Sequence, residues 1–210
     1  MTDWVEWHAP YADPRSALTA RLRRVQEHVE RAIAHAPKGP LSLISLCAGQ
    51  GNDVIEVLAR HPRRHDVTAT LVELDPHNVA AAHRRAVEAH LPQVDVRKAD
   101  AAEVASFADA LPAHVLLLCG IFGNLSDADI DRTVDAAATL CVVGATVIWT
   151  RHRRPPDRTT HIRRRFERNG FDEVDFDALD TEPFAGIGVH RLRIASPAAP
   201  PDHALFRFIR

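Results

Sequence analysis

The sequence lacks the features that mark secreted, membrane-spanning and disulfide-bonded proteins. Its 210 residues include only three cysteines, Cys47, Cys119 and Cys141, without CxxC spacing, which predicts reduced thiols rather than a disulfide framework. The first residues contain no basic segment followed by an apolar one, so no signal peptide is predicted. No apolar run approaches the roughly 18 residues that a membrane helix needs. We therefore expect a cytoplasmic protein without a membrane partner.

The sequence also has little net charge. Its formal net charge is -2 and its pI is about 6.7, whereas dedicated nucleic-acid binders usually carry a strong basic excess. Its 13 histidines form no HxxxH pair with a carboxylate on one face and no cluster with the cysteines, so no metal site is predicted. We expect one domain that binds a small molecule rather than nucleic acid, as a monomer or a homodimer.

Strand and helix patterns alternate along most of the chain. A first helix is predicted from a cap at Ser16 to about Ala36. Five strand-like segments follow, each succeeded by a helix pattern: LSLISLC, VTATLVEL, VDVRKA, HVLLLCG and ATVIWT. The predicted helices begin at Asn52, Asp75, Ala101 (to Ala110), Ser126 and Asp157, and the strand-like pieces FDEVDF, GIGVHRLRI and ALFRFIR close the chain. This order predicts an α/β fold with a doubly wound, mostly parallel sheet and a C-terminal antiparallel hairpin.

The loop after the first strand, Gly49-Gln50-Gly51-Asn52-Asp53, indicates the class of ligand. A Walker loop has a lysine and a hydroxyl residue after its last glycine, and a dinucleotide-binding loop has a third glycine; both are missing here. Asp53 also stands where a pyrophosphate would approach the helix N-terminus, and two negative groups would repel each other there. A ligand with a cationic end fits better, and S-adenosylmethionine has an ammonium, a sulfonium and a ribose.

Two further acids follow at strand ends. Glu73 ends the second strand about 22 residues after Gly51, at the position that hydrogen-bonds ribose hydroxyls in this architecture. Asp100 follows the third strand, where it can meet the adenine amino group while Ala101 donates a backbone amide. Asp53 can then receive the ammonium group.

Taken together, these segments resemble the class I S-adenosylmethionine-dependent methyltransferases. The matching pieces are LISLCAGQGND, ATLVELDPHNVAAA, VRKADAAEV, HVLLLCGIFGNL and RRRFERNGFDEV, which extend over roughly Leu41 to Gly170. The resemblance implies a seven-stranded sheet in a three-layer α/β/α sandwich, with its ligand at the carboxyl ends of strands one to four. It also implies an N-terminal lid segment and helix in residues 1–38 and a methyltransferase domain in residues 39–210.

The resemblance further implies a set of cofactor-binding residues. The expected contacts with S-adenosylmethionine, or with its product S-adenosylhomocysteine, are Cys47, Ala48, Gly49, Gly51, Asp53, Glu73, Leu74, Asp100, Ala101, Cys119 and Gly120. Two positions depart from the family pattern, because Ser45 stands in the place of an acid and Cys47 in the place of the first glycine. That acid usually supports the methionine end of the ligand, and Asp53 is the candidate to replace it.

The acceptor is expected near the segment CGIFGNL and the exit of strand five. This segment differs from the Asn/Asp-Pro-Pro-aromatic motif of enzymes that methylate nucleic-acid amino groups, which favours a small-molecule acceptor. We predict substrate contacts from Phe122, from Asn124 and from Tyr11 in the lid. Arg151 and Arg191 are predicted contacts too, and their charge would suit an anionic acceptor.

His152 and His190 are the candidate general bases if the acceptor must lose a proton, because ordinary histidine titrates near neutral pH. Otherwise positioning and desolvation would carry much of the catalysis, since the sulfonium is already activated. Three alternatives stay open. They are an RNA or protein methyltransferase that uses the basic residues 151–165, a different transfer such as aminopropyl transfer, and a non-catalytic nucleoside-binding module.

Overall fold

The computed structural model describes residues 16–180 and 184–209, and within them seven strands form one sheet. The strands are β1 (Leu41–Leu46), β2 (Val67–Glu73), β3 (Val94–Lys98), β4 (Ala113–Leu118), β5 (Cys141–His152), β6 (Phe171–Ala178) and β7 (Ala185–Leu192). The α-helices are α1 (Ala17–His35), α2 (Asn52–Arg60), α3 (Pro76–Glu88), α4 (Asp127–Leu140) and α5 (Thr159–Arg168). The predicted Tyr11 contact and the rest of the lid segment lie outside the described residues.

The strand order is β3-β2-β1-β4-β5-β7-β6, so the first strand is central. β1 pairs in parallel with β2 and β4, and β3 and β5 extend the parallel part on either side. β7 runs antiparallel to both β5 and β6. The predicted doubly wound, mostly parallel sheet with a C-terminal antiparallel hairpin is confirmed. Its parallel part brings the carboxyl ends of β1 to β5 to one edge of the sheet.

Helices cover both faces of this sheet. On one face, Val29 of α1 and Val54 of α2 are buried in a cluster with Leu71 of β2. On the other face, Ile130 of α4 and Phe166 of α5 belong to a second buried cluster. The apolar stripe of each helix thus faces the sheet, as its 3.6-residue periodicity requires. This arrangement confirms the three-layer α/β/α sandwich. No helix in the described part of the chain has the length and apolar character needed to cross a membrane.

Residues 101–110 differ from the prediction of a helix. They form two short 3-10 turns, Val104–Ser106 and Ala108–Ala110. The side chain of Asp100 accepts the backbone amide of Ala102 at 2.9 Å, and such local bonds compete with helix formation. The loop after β3 therefore stays close to the carboxyl edge of the sheet.

The last strand-like piece, ALFRFIR, also differs from its prediction. It adds no strand to the sheet, and Phe208 instead forms one antiparallel bridge with Leu125 in the loop after β4. Leu205 and Phe206 are buried against the body of the protein, which explains the apolar pattern of the segment. An alternating apolar pattern does not distinguish a sheet strand from an extended segment that packs across loops.

Charged side chains tie α1 to the edge strand β6. Asp177 accepts a hydrogen bond from Arg24 at 2.7 Å, and its other oxygen lies 2.7 Å from His28 Nε2. Arg31 lies 3.0 Å from His28 Nδ1 and pairs with Asp175 at 3.5 Å. His28, Asp175 and Asp177 are grouped closely enough to hold a cation, but two arginine side chains already contact the same ligand atoms. We therefore describe this grouping as an ion-pair network.

Asp177→Asn should lower the free energy of unfolding by about 2 kcal/mol at neutral pH, because it removes the carboxylate that pairs with Arg24 and His28. Although burial opposes ionisation, the hydrogen bonds from Arg24 and His28 hold the pKa of Asp177 below its usual value. Its contribution is thus present at neutral pH and is lost as the pH falls through that lowered pKa. Urea unfolding at several pH values should show the wild type and the variant converging on acidification.

Asp175→Asn is the matched control. The Asp175 side chain is more exposed, at 38% against 14% for Asp177, and its ion pair is longer. We expect a cost below about 1 kcal/mol, as for surface pairs. Equal losses in the two variants would contradict the role given to Asp177.

Candidate active site

The loops after β1, β2, β3 and β4 surround a cavity of about 630 Å³ at the carboxyl edge of the sheet. This volume lies within the usual range for small-molecule sites. Ten of the residues predicted to contact a cofactor line it: Cys47, Ala48, Gly49, Asp53, Glu73, Leu74, Asp100, Ala101, Cys119 and Gly120. The eleventh, Gly51, is not among the lining residues and supports the wall from behind.

Left-handed backbone conformations shape the loop between β1 and α2. Cys47, Gly49 and Gly51 have φ angles of 53°, 56° and 71°. A Cβ atom at Gly51 would lie 2.7 Å from the side chain of Ile55 and 2.8 Å from that of Leu71, so only glycine fits there. Cys47 stands in the place of the family's first glycine but adopts a left-handed conformation that suits glycine. The backbone of Cys47 thus adopts a conformation in which glycine is the usual residue.

The two thiols in the cavity wall are neutral. Burial raises the pKa of Cys47, and the negative charges of Glu73 and Asp100 raise it further. Burial likewise raises the pKa of Cys119, with a smaller effect from Asp53. Because the thiolate is the reactive form of cysteine, these side chains act as wall and not as nucleophiles. They are free cysteines, as the sequence predicts.

The carboxylate of Glu73 is held by three backbone amides. One oxygen accepts the amide of Gly49 at 2.8 Å, and the other accepts those of Leu74 and Asp75 at 2.9 and 2.8 Å. A carboxylate offers about four acceptor positions, so acceptor capacity remains toward the cavity. Glu73 thus fixes the loop after β1 to the end of β2 and still presents an oxygen to a ligand.

Asp53, in the first turn of α2, is a half-buried acid whose Oδ1 atom is buried. Burial raises the pKa of Asp53 to about 6, against the opposing effects of the backbone amides at the helix start and of Arg21. Its Oδ1 atom has no hydrogen-bond partner among the described residues. Ser45, which stands in the place of the family's acid, is buried in β1. Asp53 therefore supplies the one carboxylate of the loop that a cationic group could neutralise.

Like Asp53, two amide side chains have a buried oxygen without a hydrogen-bond partner in the described residues. Asn52 and Asn78 line the cavity, and the side-chain oxygen of each is buried without a partner in the described part of the chain. Buried polar atoms in folded proteins are normally paired, so unpaired ones need an explanation. Together with Asp53 they are all acceptors, which suits a ligand rich in hydrogen-bond donors.

Asp100 lies on the wall formed by the loop after β3. One of its oxygens accepts the amide of Ala102 at 2.9 Å, and Ser106 donates its hydroxyl to the Asp100 carbonyl at 2.8 Å. The neighbouring Ala101 is buried and also lines the cavity. The loop that carries the third acid is therefore fixed by its own hydrogen bonds.

Of the two residues predicted from CGIFGNL to contact substrate, the structure places one at the cavity. Asn124 lines it and donates a hydrogen bond to the Gly120 carbonyl at 3.2 Å. Phe122 is fully buried, with its ring edge-on to Trp149 at 5.9 Å, and the structure does not bring it to the cavity. An apolar side chain in a short turn can point toward either the core or the cavity. Phe122 points toward the core, where it packs against Trp149.

The structure does not bring Arg151 to the cavity either. Its side chain is buried, and its Nη1 atom donates to the carbonyl of Phe122, which braces the turn after β4. Burial lowers its pKa, and nearby charges modify the effect. Arg151 therefore supports the loop that carries Asn124 and does not reach the cavity.

The two predicted general bases lie away from the cavity. His190 is fully buried between the rings of Phe166, at 4.5 Å, and Trp149, at 6.1 Å, and burial lowers its pKa to about 4. It is a neutral core residue, and it does not line the cavity. His152 ends β5 beside the backbone of Gly123 and is not among the lining residues. Burial lowers its pKa, as do the nearby arginines.

Arg191 lies at the opposite edge of the sheet. β7 runs antiparallel to β5, so Arg191 pairs with Thr146 near the start of that strand. There it lines a crevice of only about 10 Å³ together with Gly144. The reversed direction of β7 thus takes this predicted substrate-binding residue away from the cavity.

Further cavity residues were not predicted from the sequence. They are Arg21, Leu22, Gln50, Asn52, Asp75, Pro76, Asn78 and Phe208. Asp75 caps α3, as predicted, by accepting the amides of His77 and Asn78, and it lines the cavity as well. Asn78 lies one helical turn after this cap, and this position in the sequence is a signal that predicts a place at the cavity. Phe208 gives no such signal, because its place depends on how the C-terminal segment packs.

Comparisons with known proteins agree with this geometry. Residues 16–186 match a protein family described as "Putative methyltransferase". Magnesium protoporphyrin IX methyltransferase from Synechocystis PCC 6803 with bound SAM superposes with a TM-score of 0.71 at 15% identity, over 91% of each chain. An O-methyltransferase family protein from Burkholderia thailandensis gives 0.66 at 16% identity, over 83% of this chain and 56% of that one. The B. subtilis tRNA methyltransferase TrmK gives 0.57 at 16% identity, over 82% and 65%. No curated protein matches the sequence.

The fold and the cavity therefore define a class I S-adenosylmethionine-dependent methyltransferase. Because the family match extends over most of the described chain, the protein belongs to this methyltransferase family. At identities near 15% the structural likenesses establish the fold, and they include enzymes with different acceptors.

Asp53→Asn should stabilise the ligand-free protein above pH 6, by about 1 to 3 kcal/mol. The folded protein raises the pKa of Asp53 to about 6, so ionisation of this group opposes folding at higher pH. As the pH falls from about 6 toward the ordinary aspartate pKa near 4, the wild type takes up the proton and the advantage of the variant should disappear. Thermal unfolding across this pH range measures the effect.

Glu88→Gln is a suitable control, because Glu88 is an exposed acid at the end of α3. It should leave the unfolding temperature nearly unchanged over the same pH range. A destabilised Asp53→Asn protein at pH 8 would contradict the account of a carboxylate whose ionisation is opposed by burial.

Proposed function

We propose that this methyltransferase acts on a small-molecule acceptor held beside Gly120 and Asn124, with S-adenosylmethionine in the acidic cavity. The observation that carries the proposal is the set of buried, unpartnered oxygens on Asn52, Asp53 and Asn78 in the described chain. S-adenosylmethionine offers ammonium, hydroxyl and amine donors, which would satisfy such acceptors. The residues present therefore fit this cofactor.

In this proposal, three acids bind different parts of the cofactor. Asp53 receives the ammonium group, because a nearby cation would favour the ionised form of this buried carboxylate. Glu73 accepts a ribose hydroxyl at the one acceptor position that the three amides leave. Asp100 accepts the adenine amino group with the oxygen that does not hold the Ala102 amide.

The charge of the cavity also supports this ligand. Asp53, Glu73, Asp75 and Asp100 face a single basic side chain, Arg21, among the lining residues that the structure describes. When bound, S-adenosylmethionine supplies an electrophilic methyl group on a positively charged sulfur. The acids would hold such a cation, while Arg21 lies close enough to Asp53 to lower its pKa and can meet the ligand carboxylate.

The acceptor side of the cavity favours transfer by positioning and desolvation. Gly120 has φ 78° and donates its amide to the Thr150 hydroxyl at 2.8 Å, so the backbone there is fixed and carries no side chain. No histidine lines the cavity within the described residues. These residues would orient an acceptor and exclude water, which suits a nucleophile that needs no protein base. Because Arg151 and Arg191 do not line the cavity, they give no support to an anionic acceptor.

An RNA substrate is less well supported. In the basic segment 151–165, Arg163 pairs with Glu173 at 2.6 Å and Arg158 with Asp127 at 2.8 Å. Arg165 is paired with Asp135. Ion-paired arginines contribute less to phosphate binding than free ones, because their charge is already compensated. The positive charges of this segment are therefore compensated in part by neighbouring acids, which does not favour nucleic-acid binding.

Asp53→Asn should weaken the binding of S-adenosylhomocysteine about tenfold or more, because it removes the charge that would hold the ligand ammonium. The same change should leave 5′-methylthioadenosine, which has no ammonium group, nearly unaffected. Glu73→Gln should weaken both ligands, since both carry the ribose. Calorimetric titration of the wild type and of each variant measures these affinities.

Equal weakening of the two ligands by Asp53→Asn would contradict the assignment of the ammonium to this acid. In the wild type, affinity for S-adenosylhomocysteine should also fall as the pH drops below about 6, where Asp53 takes up a proton. The Asn variant should not show this step.

Arg154→Glu combined with Arg164→Glu tests the RNA alternative, because both arginines are exposed in the basic segment. We expect no strong RNA binding by the wild type at low salt, and hence no effect of the double variant. Fluorescence anisotropy with labelled RNA checks this, with Arg23→Glu and Arg84→Glu on α1 and α3 as matched controls. Tight binding that falls steeply with salt and is lost only in the first double variant would contradict the small-molecule proposal.

A further inference from the structure

The C-terminal segment Ala204–Ile209 runs across two loops of the cavity wall. The amide of Leu205 donates to the carbonyl of Ala102, after β3, at 2.8 Å. The amide of Ile209 donates to the carbonyl of Asn124, after β4, at 2.8 Å. Thr133 of α4 also donates its hydroxyl to the Leu205 carbonyl at 3.2 Å. The segment is therefore fixed at both ends to the loops that carry cavity residues.

Buried side chains hold this segment in place. Leu205 and Phe206 are almost completely buried, and the rings of Phe206 and Phe208 lie 5.3 Å apart. The bridge between Phe208 and Leu125 sets the direction of the backbone. The position of Phe208 is thus determined by the packing of its neighbours and by hydrogen bonds of the backbone.

Phe208 lines the cavity and is 47% exposed. Leu74, which directly follows β2, is 62% exposed and lines the same cavity. An exposed aromatic side chain that is held rigidly in a ligand cavity offers a flat apolar surface. The purine ring is the planar apolar part of the cofactor. Asp100 and Ala101, which are expected to bind its edge, line the cavity directly before Ala102, whose carbonyl is hydrogen-bonded to the C-terminal segment.

We propose that the C-terminal segment completes the adenine end of the cavity, and that Phe208 packs against the purine ring as a cofactor-specificity residue. The inference rests on the proposed binding of S-adenosylmethionine. Binding of the purine covers apolar surface that the ligand-free protein exposes at Phe208 and Leu74. The segment thereby links the C-terminus of the chain to cofactor affinity.

Phe208→Ala should weaken S-adenosylhomocysteine about tenfold, as expected when one aromatic contact to a base is removed. It should weaken 5′-methylthioadenosine by the same factor, because the two ligands share the purine. Phe208→Trp should restore affinity to within about threefold of the wild type. Calorimetric titration gives each affinity, and thermal unfolding of the ligand-free proteins shows whether the fold is intact.

Ile209→Ala is the matched control, since Ile209 is 59% exposed, adjacent in sequence and not among the lining residues. It should bind both ligands as the wild type does. Unchanged affinity of a folded Phe208→Ala protein would overturn the inference, as would weakening of S-adenosylhomocysteine alone. A wild type that binds neither ligand would instead overturn the proposed function, so the two failures are distinguishable.

Discussion

The three hydrogen bonds to the Glu73 carboxylate join the two loops on which the cavity depends. They connect Gly49, after β1, with Leu74 and Asp75, after β2, through one side chain at the end of a central strand. The left-handed turn at Gly51 then starts α2, which packs on the sheet and brings Asp53 to the cavity wall. The end of β2 leads into the cap of α3, and Asn78 in the first turn of that helix also lines the cavity. Without this carboxylate, the loops would lose their common anchor as well as an acceptor for a ligand.

Asp53 shows how a binding cavity can oppose stability. Burial raises its pKa to about 6, so the ligand-free protein at neutral pH holds a charged group in an unfavourable place. Asn52 and Asn78 add buried oxygens without partners in the described residues. A core selected only for stability would not retain such groups, whereas a site for a donor-rich cation would. Ser45 is consistent with the proposal that Asp53, in the first turn of the helix, supplies the acid of the loop.

The fold and most of the cavity wall could be predicted from the sequence because their signals are local. Strand and helix periodicities alternate regularly, and Gly49, Glu73 and Asp100 follow directly from strand ends that a parallel sheet brings together. The predicted residues that the structure does not bring to the cavity are side chains whose surroundings are set by distant packing. Arg151 belongs to a charge run but is buried, His190 is enclosed in the core, and Arg191 lies at the opposite edge of the sheet because β7 is antiparallel. The position of Phe208 depends on a C-terminal segment that crosses two loops, and no local sequence pattern predicts such a path.

A crystal structure of the full chain with S-adenosylhomocysteine would test the central claim most directly. The account predicts the ligand in the 630 Å³ cavity, with its ammonium within about 3.2 Å of Asp53 and a ribose hydroxyl on Glu73. The purine would lie between Asp100 and the ring of Phe208. A ligand bound elsewhere, or one in this cavity with its ammonium far from Asp53, would contradict the account.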